Sequence, residues 1–583
     1  MSCRKLAVAA LCSIFPLVHV AQAREHFTPV TDQMLRNPPP QDWLMWRRTL
    51  NSWGFSPLDQ ITRDNVSHLK LIWSRPLTAG ASQEGTPLVH DGVMYFPNPL
   101  DVTEALDAKT GKLIWEHKRN LPADVGRYVP FPQTNRNLAI YRNLIIDNGS
   151  DDYIYALNAE TGKMVWQTKV LDYKTQPAKQ GSGPLVVDGK LISGRNCMPQ
   201  AGPSACVITA HDALTGRELW RLHTIPKPGE PNSDTWGNTP YDKRWHVGAW
   251  MVPSYDPQLH LIYIGTSVTA PAPKFMIAGN DKHYLYHDST LAVNPDTGKI
   301  VWYYQHDVDN WDLDHPFERM LVDVAVAPDP SQVPWINPRV HRGQVYKVVT
   351  GIPGKTGIVY TLDRRTGEFL WARPTIKQNV VQSIDGATGA VTMNPKKFFT
   401  GAHQKVFVCP STNGGKNWPA GSYDPRTKIM YFPMENTCMT SESLAEKATP
   451  AMIYAIDNQS VITPGDKSVG TVWAVSAQTG KAVWQYDQRA GVTSLVATAG
   501  GLVFGGDISG KFRALDSRTG KVLWETDLGS GVTGYPISFA VNGRQYIAVS
   551  TGRSNMTGAL TRLTPDVKPG KNENRLFVFA LGD

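Results

Sequence analysis

The chain has 583 residues, 41% of them hydrophobic and 19% charged, with a formal net charge of +8. That is the composition of an ordinary soluble globular protein, and 49 Gly with 43 Pro suit a chain of many short strands and turns. Its Lys and Arg residues are scattered, with no basic run or basic–aromatic stripe, so no nucleic-acid partner is expected.

In chain order, the first element is "MSCRKLAVAALCSIFPLVHVAQA" (1–23): Arg4 and Lys5, a short apolar run, then Ala21-Gln22-Ala23. This is the pattern of a secretory signal cleaved near Arg24. The run is too short to span a bilayer comfortably, and no later segment reaches about 18 apolar residues, so the mature chain is expected to lack a transmembrane segment. Cleavage leaves a periplasmic or secreted chain with four cysteines, Cys197, Cys206, Cys409 and Cys438. An even count in an oxidising compartment predicts two local disulfides, Cys197–Cys206 and Cys409–Cys438. There is no C-x-x-C-H, so no covalently attached c-type haem is expected.

One eleven-residue pattern then recurs. It reads "ALDAKTGKLIW" (105–115), "ALNAETGKMVW" (156–166), "AHDALTGRELW" (210–220), "AVNPDTGKIVW" (292–302), "TLDRRTGEFLW" (361–371), "AVSAQTGKAVW" (474–484) and "ALDSRTGKVLW" (514–524). Asx-x-x-Thr-Gly is a tight turn, in which Gly accepts positive φ and the Asx side chain caps the backbone. Apolar alternation on both sides predicts a β-hairpin, and the Trp at a fixed offset should fill an equivalent niche between neighbouring sheets. The long gaps hold "SYDPQLHLIYIG" (254–265) and "SYDPRTKIMYFP" (422–433), read as degenerate partners. Units of roughly 40–50 residues, each a four-stranded sheet, predict an all-β, eight-bladed β-propeller with tryptophan-docking repeats, in which the last copy lies close to the first. The mature residues 24–583 form its single domain.

Chemistry is expected where the repeat is broken. "YYQHDVDNWDLDHPFERM" (303–320) follows directly on one hairpin Trp and holds Asp312 and Asp314, which share a side if the segment is extended. Two carboxylates that close repel unless a cation or a proton intervenes. "KRWHVGAWMVPSYDP" (243–257) carries two Trp outside the hairpin position, Trp245 and Trp250, free to stack on a planar ligand.

With these residues the chain resembles the PQQ-dependent (quinoprotein) alcohol dehydrogenases, methanol dehydrogenases among them. The resemblance runs from "WLMWRRTLNSWGFSPLDQI" (43–61) to "GYPISFAVNGRQYIAV" (534–549). It implies that Asp312 in "NWDLD" is the catalytic base and Lys355 in "GIPGKTGIVYTLDRRTG" the cation that bonds the quinone oxygens. It further implies that Trp250 stacks on the quinone plane, that Glu84 and Arg136 hold its carboxylate and carbonyl edge, and that Asn417 in "GGKNW" adds a polar contact. Ser182 in "GSGPLV" sits beside a position where relatives often have Thr. The implied reaction is hydride transfer from an alcohol to the quinone C5, aided by a hard cation, with electrons leaving to a separate cytochrome c.

The departures from the family pattern are as informative. Pro130-Phe131 stands where relatives carry adjacent cysteines, so an apolar or aromatic lid is expected. "RNCMPQAGPSAC" (195–206) replaces the segment with the family's metal-ligating Glu, leaving Asn196 or Gln200 as neutral ligands, and "GTSVTAPAP" (265–273) offers Ser267 or Thr269 for a lost Asn. Asp312 and Asp314 are the expected metal ligands, for calcium or alternatively a lanthanide. The remodelled loops suggest a bulky primary or secondary alcohol, polycyclic ones such as trichothecene toxins included. A sugar or aldose dehydrogenase with the same cofactor, or a non-enzymatic propeller that scaffolds assembly, are the alternatives.

Overall fold

The computed structural model describes residues 27–129, 131, 134–179, 181, 183–445, 454–568 and 570–582. The signal-like segment, Pro130 and Ser182 lie outside the described residues.

The Thr-Gly turns form as their chemistry dictates. Asp107 Oδ1 accepts from the backbone N–H of Lys109 (3.1 Å) and Thr110 (2.9 Å) and from the Thr110 hydroxyl (2.8 Å), and Asn158, Asp212 and Asn294 repeat the arrangement. The turn glycines sit at φ of 67–78°, where a Cβ is disfavoured. Each turn joins two antiparallel strands through a bulge, which sets the Trp opposite a small residue: Trp115 faces Ala105, Trp166 faces Ala156 and Trp524 faces Ala514.

Among the described residues, eight sheets have four or five strands. Seven take four antiparallel strands from one stretch of chain each, at 88–118, 139–169, 185–223, 254–305, 320–374, 422–488 and 496–527. The eighth is built from both ends: Leu69–Pro76 pairs with Arg575–Leu581, Leu69 opposite Leu581 and Pro76 opposite Arg575, and Arg544–Thr551 and Ile537–Val541 complete it.

The indoles join sheet to sheet. A methyl placed on Gly162 would lie 2.5 Å from the ring of Trp115 in the preceding sheet. The same holds for Gly216 and Trp166, Gly298 and Trp220, and Gly520 and Trp484, each at 2.5 Å, and for Gly367 and Trp302 at 2.6 Å. Three of these indole N–H groups donate at close range to a carbonyl in the same turn, Trp115 to Ala159 (2.9 Å), Trp220 to Pro295 (2.8 Å) and Trp484 to Ser517 (2.9 Å), whereas that of Trp166 finds no such partner. Trp524 packs on Phe579 of the eighth sheet at 5.4 Å. The ring closes through Trp73, which lies outside the seven copies: it caps Gly111 at 2.5 Å and donates to Ala108 at 3.2 Å.

Two expectations are corrected here. The first and last copies are not neighbours, because the eighth sheet stands between them. The stretches 254–265 and 422–433 are not degenerate copies of the Trp hairpin. They are the first-to-second-strand hairpins of their own sheets, Ser254–Asp256 on Leu261–Gly265 and Ser422–Asp424 on Ile429–Glu435. The long gaps between copies hold excursions instead, including a three-stranded sheet of Lys405–Val408, Thr437–Ser443 and Ile456–Ile462.

Both expected disulfides are formed, Cys197–Cys206 and Cys409–Cys438. The second ties the strand edge at 405–408 to the neighbouring strand within that excursion. Replacing both Cys409 and Cys438 by Ala should lower unfolding free energy by roughly 3 kcal/mol, the chain-entropy expectation for a loop of this size. Guanidinium titration measures it; an unchanged midpoint would mean the bridge constrains nothing.

Candidate active site

Segments that leave the sheets converge on a cavity of about 390 Å³, lined by Glu84, Arg136, Trp250, Asp312, Asp314, Lys355 and Asn417. These are all the expected site residues among those described.

The loop after Ile300–Gln305 aims the two carboxylates. Asp309 Oδ1 accepts from the N–H of Trp311 (2.9 Å) and Asp312 (3.1 Å), fixing the turn. Trp311 and Leu313 are fully buried in an apolar cluster, and the alternate residues Asp312 and Asp314 face the cavity, as an extended segment requires. Lys355 arrives from the turn after Val345–Gly351; its N–H donates to the Asp314 carbonyl at 2.9 Å. Gly414 lets it pass, since a Cβ there would meet the Lys355 stem at 2.6 Å.

The Lys355 ammonium lies 2.8 Å from Asp312 Oδ1 and 3.5 Å from Asp314 Oδ2. Burial pushes the Asp312 carboxyl up to about 7, against the pull of Lys355 and with the push of Asp314. Burial also works against the Lys355 charge, but Asp312 and Asp314 outweigh it and hold its pKa above the usual lysine value. On the opposite wall, Arg136 pairs with Glu84 Oε2 at 2.6 Å and donates to the Gly181 carbonyl at 2.9 Å. Its guanidinium stands between two indoles, 5.3 Å from the Trp250 ring and 5.4 Å from Trp418. Asn417 lines the same wall, though its amide donates to Asn413 O (2.8 Å) and its oxygen accepts from Trp418 N (2.8 Å).

The family model described as "PQQ: Glucose/ethanol/alcohol dehydrogenase, beta-propeller domain" matches residues 43–393 and 488–547. The chain belongs to the PQQ-dependent alcohol dehydrogenases. It is 30% identical to quinohemoprotein alcohol dehydrogenase ADH IIB of Pseudomonas putida, over 93% of this chain and 77% of that protein. It is also 30% identical to 1-butanol dehydrogenase (cytochrome c) of Thauera butanivorans, over 91% of this chain and 76% of that one. Among solved structures, a europium-containing methanol dehydrogenase superposes with a TM-score of 0.83 at 27% identity, covering 94% of this chain and all of the other.

This PQQ-dependent dehydrogenase has a cavity fitted to an anionic planar quinone: flat aromatic walls at Trp250 and Trp418, and cationic groups at Arg136 and Lys355. It also fits a hard cation. Asn196 Oδ1 is buried in the cavity wall with no hydrogen-bond partner, and with Asp312 and Asp314 it makes an all-oxygen donor set. Of the neutral ligands considered, only Asn196 is placed for this. Gln200 is exposed on the surface. Ser267 Oγ donates to His246 O (2.8 Å) and accepts from Gly248 N (2.9 Å), and Thr269 donates to Trp245 O (2.8 Å); neither lines the cavity. Trp245 lies outside it as well. Phe131 stands at its edge, 45% exposed, where an aromatic lid was expected.

The wall residues that went unread in the sequence include His246, Trp418, Tyr454 and Met556. His246 and Tyr454 meet edge to face at 5.9 Å, with Tyr454 Oη 3.5 Å from His246 Nδ1. Burial, then the charges of Asp312 and Asp314, raise the Tyr454 pKa well above its ordinary value, so the hydroxyl keeps its proton.

With its folded pKa raised, Asp312 contributes stability while protonated, and that contribution is lost as pH rises through about 7. In the cation-free protein the Asp312 carboxyl should titrate near pH 7 by carbon-13 NMR. Lys355→Met should move it higher, because the ammonium is what pulls it down. A midpoint that stays put, or falls, would remove Lys355 as its electrostatic partner.

Proposed function

We propose that the chain is an exported dehydrogenase that oxidises a bulky primary or secondary alcohol to the ketone or aldehyde, with Asp312 as the base. The observation that carries this reading is the Lys355–Asp312 contact of 2.8 Å on a cavity wall that also holds Trp250 and the Glu84–Arg136 pair. The eight sheets are read as blades of one propeller over residues 24–583, with 1–23 as a signal removed on export to the periplasm. Among the described residues, no helix is long and apolar enough to cross a membrane.

When bound, PQQ supplies the two-electron oxidising power. The chain's own residues do the rest. Trp250 offers a flat apolar face and Arg136, steadied by Glu84, an anion partner at the cofactor's edge; Asn417 adds a polar contact, and the resemblance assigns another to Ser182, which lies outside the described residues. Asp312 takes the hydroxyl proton as the alcohol carbon gives up its hydride. Lys355 places positive charge where oxyanion character grows. Asp312, Asp314 and Asn196 would hold the cation. Calcium is the first choice for an all-oxygen set, and a lanthanide the alternative, which the europium-containing relative supports. Electrons then pass to a separate cytochrome c, as the name of the Thauera relative suggests for that enzyme. An apolar rim of Phe131, Met198 and Met556 suits a large hydrophobic alcohol.

A dye-linked assay with PQQ and either calcium or a lanthanide, run over small, bulky and trichothecene alcohols and over aldoses, tests the substrate class. Turnover confined to aldoses would overturn the alcohol reading. Asp312→Asn should retain PQQ and lose activity by about 10²–10⁴-fold, the usual contribution of a general base. Trp250→Ala should weaken cofactor affinity first, and Lys355→Ala should lower turnover more than substrate affinity. If Asp312→Asn kept more than about a tenth of wild-type turnover, a barrier change of only about 1.4 kcal/mol, Asp312 would not be the base.

A further inference from the structure

The strands Ser289–Val293 and Ile300–Gln305 are antiparallel neighbours that end together, Ser289 opposite Gln305. His287 and Asp288 lie just before the first, and His306 and Asp307 just after the second; the His306 N–H donates to the Asp288 carbonyl at 2.9 Å. One ligand atom from each of His287, Asp288 and Asp307 lies within 4.8 Å of the other two. His315, beyond the turn that carries Asp312, joins them: its Nδ1 is 3.6 Å from Asp307 Oδ2 and 3.9 Å from Asp288 Oδ1. All four side chains are buried.

This interior lacks the partners such groups need. Apart from the contact that Asp288 and Asp307 make with each other, neither carboxyl group has a hydrogen-bond partner. Asp288, Asp307, Asp309, Asp312 and Asp314 share one electrostatic neighbourhood, in which the lysine charges are those of Lys274 and Lys355. Lys355 is held by Asp312, Lys274 donates to the Thr269 carbonyl at 3.1 Å, and the Arg319 guanidinium is directed at the carbonyls of His315 and Phe317. A cation at the active site would neutralise Asp312 and Asp314 and leave Asp288 and Asp307 facing each other with only His315 and the more distant Lys274 to offset them.

The imidazole of His287 is already set for ligation. Its Nδ1 lies 3.0 Å from the Tyr284 carbonyl, to which it donates, so Nε2 carries the lone pair; that nitrogen lies 3.8 Å from Asp288 Oδ2 and accepts a 3.3 Å bond from the Asp309 N–H, which a bound ion would displace. A hydrogen bond that fixes the tautomer from the far side is the usual support of a metal-bound histidine. Two imidazoles with two carboxylates do not suit calcium, which takes six to eight oxygens; they are a donor set for a first-row divalent transition ion, and four such ligands match tetrahedral zinc.

We propose that His287, Asp288 and Asp307, with His315 as the fourth donor, form a second metal site that holds a zinc-type divalent ion. The ion clamps the shared end of the two strands to the segment that bears Asp312 and Asp314, so it is a structural support of the catalytic loop and separate from the cation at the cofactor.

The test uses the full chain, produced in medium supplemented with Zn²⁺, dialysed exhaustively, and assayed by plasma mass spectrometry. The wild type should keep about one zinc per chain, and anomalous scattering at the zinc edge should place it among these four residues at about 2.0–2.2 Å from their ligand atoms. Asp307→Asn and His287→Gln should each lose most of the zinc, and Asp312→Asn should keep it. Wild-type protein free of zinc would overturn the proposal, since a carboxyl–carboxylate hydrogen bond between Asp288 and Asp307 would then suffice. Retention of zinc by a folded Asp307→Asn chain, or its loss in Asp312→Asn, would place the ion elsewhere. Wild-type content and the anomalous map decide the matter even if a variant fails to fold.

Discussion

Most neighbouring large sheets in this molecule are joined by an indole lying on a turn glycine. The contact combines three requirements that no other residue pair meets together. The turn needs positive φ, the approach at Gly162 leaves no room for a Cβ, and the ring needs a carbonyl for its N–H once buried. Because the same contact recurs from sheet to sheet, the angle between neighbouring sheets is set repeatedly by one local geometry. The loops that build the cavity depend on that regularity, since Glu84, Arg136, Trp250, Asp312, Lys355 and Asn417 come from widely separated stretches and meet only if every sheet between them is correctly placed.

The cavity then concentrates opposing charge in a small space. Asp312 is pushed up by burial and held down by Lys355. Across the cavity, Glu84 and the Trp250–Trp418 pair fix Arg136, so the wall that would face the cofactor is rigid on both sides of that guanidinium. The backbone bond from Lys355 to Asp314 couples the two halves of the carboxylate–ammonium cluster, and a change at one is felt at the other.

The hairpins were fully legible in the sequence because their physics is local: Asx, Thr, Gly and Trp lie within eleven residues. The ring-closing Trp73 was not, because its strand "LKLIW" has no Thr-Gly turn before it and pairs with Arg575–Leu581, far away in sequence. The site was legible where residues sit in a broken repeat, as Asp312 and Asp314 do, and where the resemblance supplied the rest. His246 and Tyr454 were not, since they are 208 positions apart and neither carries a local signal. Ser267 and Thr269 had the right chemistry for a ligand, but their hydroxyls are already committed to the backbone of the 245–248 loop. Sequence shows a hydroxyl; only packing shows whether it is free.

The eighth sheet has a bearing on how the molecule comes to exist. The strand at 69–76 finds its partner at 575–581 only after the strands of the other seven large sheets have emerged, whereas each of those seven draws four antiparallel strands from a contiguous stretch. A growing chain can therefore assemble seven sheets in succession while Leu69–Pro76 stays unpaired, a strand edge waiting for its complement. Joining segments so far apart carries a loop-closure cost that grows only with the logarithm of separation, and contacts that distant form slowly. Arg575–Leu581 thus acts as a latch: until it engages, the ring is an open arc with two sticky ends.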